Sequence, residues 1–120
     1  MSTVAVVLVA LVALLHVYFL VLEMFLWTKP AGRRAFGTTQ EQAEQSKALA
    51  ANQGLYNGFL AAGLLWSLTR GSEGRPIAIF FLTCVIVAGV FGAATASRKI
   101  LYVQALPAAL ALVAVVVGVR

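Results

Sequence analysis

Four long apolar stretches, separated by short polar segments, dominate the pattern of this chain. They cover roughly residues 3–27, 48–69, 76–97 and 100–119. A helix needs about 20 mostly apolar residues to cross the hydrocarbon core of a membrane, and each stretch has about that length. The pattern therefore predicts an all-α, polytopic membrane protein, built as an antiparallel bundle of four transmembrane helices. Because these spans use most of the chain, residues 1–120 are predicted to form a single transmembrane domain.

The polar segments carry residues that start and stop helices. Pro30 is expected to end the first helix, and Gly32–Arg34 and Gly37 are expected to lie in a loop. Thr38 and Glu41 have the spacing of a capping box, in which a threonine precedes a glutamate by three residues. This spacing predicts that a helix starts near Thr39 and continues into the second span.

Two further prolines belong to the later spans. Pro76 suits the first helical position of the third span. Pro107 lies inside the fourth span, where it is expected to kink the helix or to loosen one backbone hydrogen bond.

Composition and charge favour the membrane interpretation. Hydrophobic residues make up 62% of the chain and charged residues 11%, whereas a soluble domain is roughly half apolar and a quarter charged. The formal net charge is +5, but the lysines and arginines lie at the ends of the spans and form no continuous basic face. A nucleic-acid partner is therefore not expected.

The distribution of basic residues predicts the orientation of the spans. The side that holds the first and third connectors carries Lys29, Arg33, Arg34, Lys47, Arg98 and Lys99. The opposite side carries Arg70, Arg75 and Arg120. Because an excess of lysine and arginine marks the cytoplasmic side, the first side is expected to face the cytoplasm, with both termini outside it.

Polar side chains interrupt the apolar spans, most densely in the second. The candidates for ligand binding or proton coupling are His16, Glu23, Asn52, Gln53, Tyr56, Asn57 and Gln104. Amides in hydrocarbon cost free energy unless they find hydrogen-bond partners. Counting inward from the membrane faces, at about 1.5 Å per residue, places most of these side chains in the cytoplasmic half. We therefore predict a pocket or a hydrogen-bond network that opens to that side.

These polar residues also have simpler interpretations. Glu23 could extend to the membrane surface, His16 could be a neutral buried residue, and the amides could serve only to join helices. His16 and Glu23 are seven residues apart, which separates them by about 10 Å along one helix face. That is too far to hold one metal ion unaided, although a proton could pass between them through water or Tyr56. No metal site and no cofactor are predicted.

Small residues indicate where helices pack closely. Gly54, Gly58 and Ala62 recur every four residues in the second span, and Gly89 and Gly92 form a small patch in the third. Such spacing lets a neighbouring helix approach closely. The first set is interpreted as a packing surface within the chain or between two copies of it.

Several of these features together resemble a known family. They are His16, Glu23, Trp27, the run of residues 51–61 that contains Asn-Gln-Gly-Leu-Tyr-Asn-Gly, the 92–95 stretch and the 104–107 stretch. The chain resembles, over essentially its whole length, the small bacterial membrane proteins of domain-of-unknown-function family thirteen-oh-four. The resemblance implies a multi-pass, four-helix protein of the bacterial inner membrane. The family has no assigned activity, so the resemblance carries over no functional residues.

Three functions are compatible with the sequence. The one we favour is binding or transport of a small or lipid-like molecule through a cytoplasm-facing polar pocket, with Glu23 as the binding or proton-coupling carboxylate. The second is an intramembrane enzyme in which His16 and Glu23 supply acid and base, although no serine or cysteine nucleophile accompanies them. The third is a structural accessory subunit whose polar residues only join helices. The expected partners are membrane lipids, a small hydrophobic ligand and a second copy of the chain.

Overall fold

The computed structural model describes residues 1–118 and contains helices but no strand over that range. The prediction of an all-α fold is confirmed. The helices are α1 (Thr3–Met24), α2 (Pro30–Phe36), α3 (Gln40–Leu68), a 3-10 turn (Gly71–Glu73), α4 (Gly74–Thr95), a π-helical turn (Leu101–Ala105) and α5 (Leu106–Val117).

Two helical segments are long and apolar enough to cross a membrane. They are Thr3–Met24 and Gly71–Thr95, in the regions of the first and third predicted spans. The third helix, α3, has the necessary length, at 29 residues, but its polar side chains keep it outside this class. The apolar segment Leu101–Val117 is shorter. Val119, which belongs to the predicted fourth span, and Arg120, which entered the charge count, lie outside the described residues.

Gly32, Arg33 and Arg34 were predicted to lie in a loop but belong to α2, so this part of the prediction is wrong. Pro30 begins α2 instead of merely ending the first helix, because proline needs no N–H in the first helical turn. Gly37 ends α2 with a left-handed φ of 67°, and its N–H donates to the carbonyl of Arg33. Glycine adopts this conformation without strain, so Gly37 lies in the turn that ends α2, outside the helix.

The third helix begins with a capping box that lies one residue later than predicted. The Thr39 hydroxyl accepts a hydrogen bond from the N–H of Gln42 at 3.1 Å, and the Gln42 side-chain oxygen accepts one from the N–H of Thr39 at 2.9 Å. Thr38 still belongs to the end of α2, where its N–H donates to the carbonyl of Arg33. The spacing in the sequence was right, but Thr38 and Glu41 are not the residues that cap.

Removal of this cap gives a local test of the fold. We expect Thr39→Ala to lower the free energy of unfolding by about 1 kcal/mol, because it leaves the N–H of Gln42 without its acceptor. The matched control is Thr38→Ala, since the buried Thr38 hydroxyl has no hydrogen-bond partner among the described residues. Denaturant unfolding in detergent, followed by circular dichroism, compares the two variants. Equal losses would contradict the assignment of Thr39 as the cap.

The described chain divides into two compact units. The first comprises residues 1–13 and 60–118, and its core is formed by apolar side chains from α1, α3, α4 and α5. The largest of these buried side chains are Val9, Leu64, Leu82, Val85 and Val115. The second unit comprises residues 14–59, which hold the end of α1, all of α2 and the first two-thirds of α3.

Pro107 is accompanied by a change of helix type in the first unit. Residues 101–105 form a π-helical turn, and the N–H of Leu106 donates to the carbonyl of Leu101, five residues back. Proline has no N–H for the carbonyl one α-helical turn before it, and a π turn is one way in which a helix accommodates that loss. Gly89 of α4 lies against this turn: a Cβ there would be 2.8 Å from the backbone nitrogen of Ala105.

Candidate functional site

A hydrogen bond between two buried polar side chains lies at the centre of the second unit. The amide nitrogen Nδ2 of Asn57 donates to Oε1 of Glu23 at 2.6 Å. Glu23 is in the last turn of α1 and Asn57 is near the middle of α3, and their exposed fractions are 4% and 8%. A carboxylate that is removed from water needs hydrogen-bond donors, and Asn57 supplies one from the facing helix.

Close approach of the helix backbones makes this bond possible. Gly54 lies one turn before Asn57, and a Cβ there would be 2.6 Å from Cγ of Met24 and 3.1 Å from Cβ of Glu23. At Gly58, a Cβ would be 2.7 Å from Cδ1 of Leu20. These two glycines therefore face α1, as expected for a small-residue packing surface.

Beside Glu23 the second unit contains an open pocket of about 320 Å³. Its lining residues are Glu23, Met24, Phe25, Trp27, Thr28, Lys47, Ala48 and Ala51. One wall comes from the end of α1 and the turn that follows it, and the other from successive turns of α3. The lining combines one carboxylate, one ammonium group, an indole and apolar side chains.

The turn that carries Trp27 is fixed by contacts with α2 and α3. The indole N–H of Trp27 donates to Oγ of Ser46 at 3.1 Å, and its ring centroid is 4.8 Å from that of Phe36. Gly32 of α2 lies directly on this turn, because a Cβ there would overlap the carbonyl oxygen of Leu26. The position of the indole is therefore set before any ligand enters.

Lys47 contributes the positive charge in the pocket lining, but it is oriented toward its own helix. Its ammonium nitrogen is 3.5 Å from a carboxylate oxygen of Glu44, and 66% of the Lys47 side chain is exposed. Within residues 1–118 the other ion pair joins Arg70 to Glu73. Neither pair includes Glu23, whose carboxylate is paired with an amide.

The remaining predicted site residues lie elsewhere. Asn52, Gln53 and Tyr56 are exposed. At about 100° per residue, Asn52 and Tyr56 lie about 140° and 100° around α3 from Asn57. Among the predicted packing residues, Ala62 is also exposed, whereas Gly92 has the Ile100 side chain 3.2 Å from the position of an added Cβ.

His16 and Gln104 lie in α1 and in the π-helical turn. His16 is fully buried in α1, two turns before Glu23, and its ring packs edge-on against Phe19 with centroids 5.2 Å apart. Gln104 lies in the π-helical turn of the first unit and is half-buried. Among the seven predicted residues, Glu23 and Asn57 are joined to each other by a side-chain hydrogen bond. In the described part of the chain, no three histidine, cysteine, aspartate or glutamate residues cluster closely enough to hold a metal ion.

The sequence of this chain is similar to a known protein family. The model of a family described as "Protein of unknown function (DUF1304)" matches residues 10–116. The chain belongs to the DUF1304 family. An uncharacterized relative, YpaA of Lactococcus lactis subsp. lactis (strain IL1403), is 32% identical over 115 residues, which cover 94% of this chain and 97% of the relative. No solved structure matches the chain. Since neither description names an activity, the function of this DUF1304 protein has to be inferred from its site.

Seven of the eight residues that line the pocket were not predicted as site residues from the sequence; the eighth is Glu23. Trp27 was interpreted as a membrane-surface anchor and Lys47 as a topology signal, and Thr28 carried no signal. The spacing offered one indication for α3. Lys47, Ala51 and Gly54 are separated by four and three residues, which places them on one helix face, and Gly54 was already predicted to face another helix.

Proposed function

We propose that this protein is a four-span inner-membrane protein that binds or transports a small or lipid-like molecule through the pocket beside Glu23. The observation that carries the proposal is a buried carboxylate, held by Asn57 at 2.6 Å, in the wall of an open pocket. An ionisable side chain within a membrane helix is costly and commonly marks a binding site or an ion pathway. The apolar stretches of the sequence and the two apolar helices support the membrane setting.

The proposed orientation places the pocket toward the cytoplasm. Glu23 lies at the end of α1 that is followed by Lys29, Arg33 and Arg34, and Lys47 lines the pocket itself. A concentration of basic residues next to a span favours the cytoplasmic side. A ligand would then enter from the cytoplasm or from the inner leaflet, and both termini would lie outside the cytoplasm.

Occupancy of the pocket can be tested by native mass spectrometry of the protein purified in a neutral detergent. We expect the wild-type protein to retain a bound non-protein mass. Ala51→Trp should lose it, because an indole at this lining position fills space that the ligand needs. The matched control is Ala62→Trp, which places the same side chain on an exposed part of α3. An empty wild-type protein, or equal occupancy in both variants, would contradict the proposal.

Proton-coupled transport also requires that Glu23 exchange a proton. In proteoliposomes we expect addition of the molecule identified by mass spectrometry to drive proton uptake, and we expect Glu23→Gln to abolish it, since the amide cannot exchange a proton. The control is Glu73→Gln, which removes an exposed carboxylate in the 3-10 turn of the first unit. If Glu23→Gln changes only thermal stability in detergent, the side chain has a structural role and the transport proposal fails.

A further inference from the structure

We propose that the ligand of this pocket is an ammonium group joined to an apolar chain. The inference rests on the proposed binding function and names the chemical class of the ligand. It follows from four features of the lining: an uncompensated carboxylate, the end of a helix, a fixed indole and apolar walls.

The carboxylate of Glu23 provides the first argument. One oxygen accepts the hydrogen bond from Asn57, and this bond fixes the orientation of the group. Within residues 1–118 the ion pairs Lys47–Glu44 and Arg70–Glu73 leave Glu23 without a cationic partner. A buried carboxylate is stabilised by an opposite charge with good geometry, and a ligand ammonium group would supply that charge.

The end of α1 also favours a cation in the pocket. Glu23 and Met24 lie in the last turn of this helix, and that turn contains no basic residue. The carbonyl groups at a helix C-terminus carry partial negative charge and favour cations. The helix end and the carboxylate therefore act in the same direction on a charge that enters the pocket.

Trp27 and the apolar walls define the rest of the ligand. The faces of aromatic rings attract ammonium groups, and the Trp27 indole is held in place by Ser46 and Phe36. The neighbouring lining residues Met24, Phe25, Ala48 and Ala51 offer hydrocarbon surface. An ammonium head with a hydrocarbon tail matches both parts of this lining.

Lys47 does not oppose this assignment. Its ammonium group pairs with Glu44 and its side chain is mostly exposed, so it lies at the edge of the pocket. There it would contact a part of the ligand other than the ammonium head. The ligand could be a free alkylamine or the amine headgroup of a phospholipid whose phosphate meets Lys47, and the experiment distinguishes these two sources.

Trp27 makes the binding measurable. The chain contains two tryptophans, and the other, Trp66, is half-exposed in the first unit. In a Trp66→Phe background, Trp27 emission reports on the pocket alone. The protein in dodecyl maltoside micelles is titrated with hexylammonium, hexanoate and 1-hexanol, which share one tail and differ in the charge of the head.

We expect hexylammonium to change the emission saturably, with an apparent affinity at least about 10-fold higher than that of hexanoate or hexanol. Glu23→Gln should weaken hexylammonium binding by about 10-fold or more. Glu41→Gln, which removes an exposed carboxylate from the first turn of α3, should leave it unchanged. Added phosphatidylethanolamine competes with hexylammonium if the natural source is a lipid headgroup. If it does not compete, the source is a free amine.

The outcomes that overturn this inference differ from those that overturn the proposed function. Equal binding of the three probes, or a hexylammonium affinity that does not depend on Glu23, would reject an ammonium ligand while a retained mass still supports a binding pocket. The three probes can still be compared on the protein that keeps Glu23, even if Glu23→Gln fails to fold. If no probe binds and the wild-type protein retains no mass, both proposals fail.

Discussion

Asn57→Leu is expected to lower the free energy of unfolding by about 2–3 kcal/mol, because it removes the hydrogen-bond donor from the buried carboxylate of Glu23. Leucine has the same number and branching of side-chain heavy atoms as asparagine and leaves no cavity, so the loss reports mainly on the missing hydrogen bond. The bond it removes is short, at 2.6 Å, and both residues are almost fully buried. Denaturant unfolding in detergent micelles measures the change.

Two companion variants identify the source of the Asn57→Leu effect. Gln53→Leu makes the same kind of substitution one turn earlier on α3, where the side chain is exposed, and is expected to change stability by no more than about 0.5 kcal/mol. The double variant Glu23→Met/Asn57→Leu replaces both polar partners with apolar ones and should recover most of the loss. If the double variant is less stable than Asn57→Leu alone, the bond between Glu23 and Asn57 is not what stabilises this region.

Gly32→Ala is expected to lower the free energy of unfolding by about 2–3 kcal/mol, although it adds only one methyl group. That methyl would overlap the carbonyl oxygen of Leu26 and come within 2.9 Å of Cα of Trp27. These are backbone atoms that cannot rotate away, so α2 has to move off the turn. Because this displacement removes support from the Trp27 indole, the variant should also change Trp27 fluorescence in the Trp66→Phe background.

Gly58→Ala is the matched control for Gly32→Ala. The added methyl would lie 2.7 Å from Cδ1 of Leu20, the end of a flexible side chain that can adopt another rotamer. Alanine is also a better helix former than glycine by roughly 0.5–1 kcal/mol, which offsets part of that contact. We therefore expect Gly58→Ala to stay within about 1 kcal/mol of the wild-type protein. Equal losses at the two positions would show that α2 is not packed tightly on the turn after α1.

Local sequence patterns predicted the helices better than their ends. The apolar runs that begin near Thr3 and Pro76 correspond to α1 and α4. A long apolar run predicts a helix from residues that are neighbours in the sequence, so no tertiary contact is needed to find it. The end of α2 and the start of α3 were harder to place. Thr38 and Thr39 both stand three residues before a possible capping partner. The hydrogen bonds between Thr39 and Gln42, together with the one from Thr38 to the end of α2, identify the second pair as the cap.

For the candidate site, the sequence identified Glu23 and Asn57 but did not pair them. Four polar side chains lie close together in α3, and at about 100° per residue Asn52 and Tyr56 share one face while Gln53 and Asn57 share another. Which of them faces α1 depends on the rotation of α3 about its own axis. Gly54 and the buried residues around it set that rotation, because they allow the backbones to approach on one side only.

The amino-acid sequence by itself determined that this protein is helical, that it has apolar segments long enough for a membrane, and that it carries polar groups within them. These properties depend on neighbours along the chain. The tertiary structure alone decided that Asn57 meets Glu23, that α2 supports Trp27, and that Lys47, Ala48 and Ala51 line a pocket with them. Those contacts join residues up to 34 positions apart, and they depend on helix rotation and backbone distance, which no local pattern specifies.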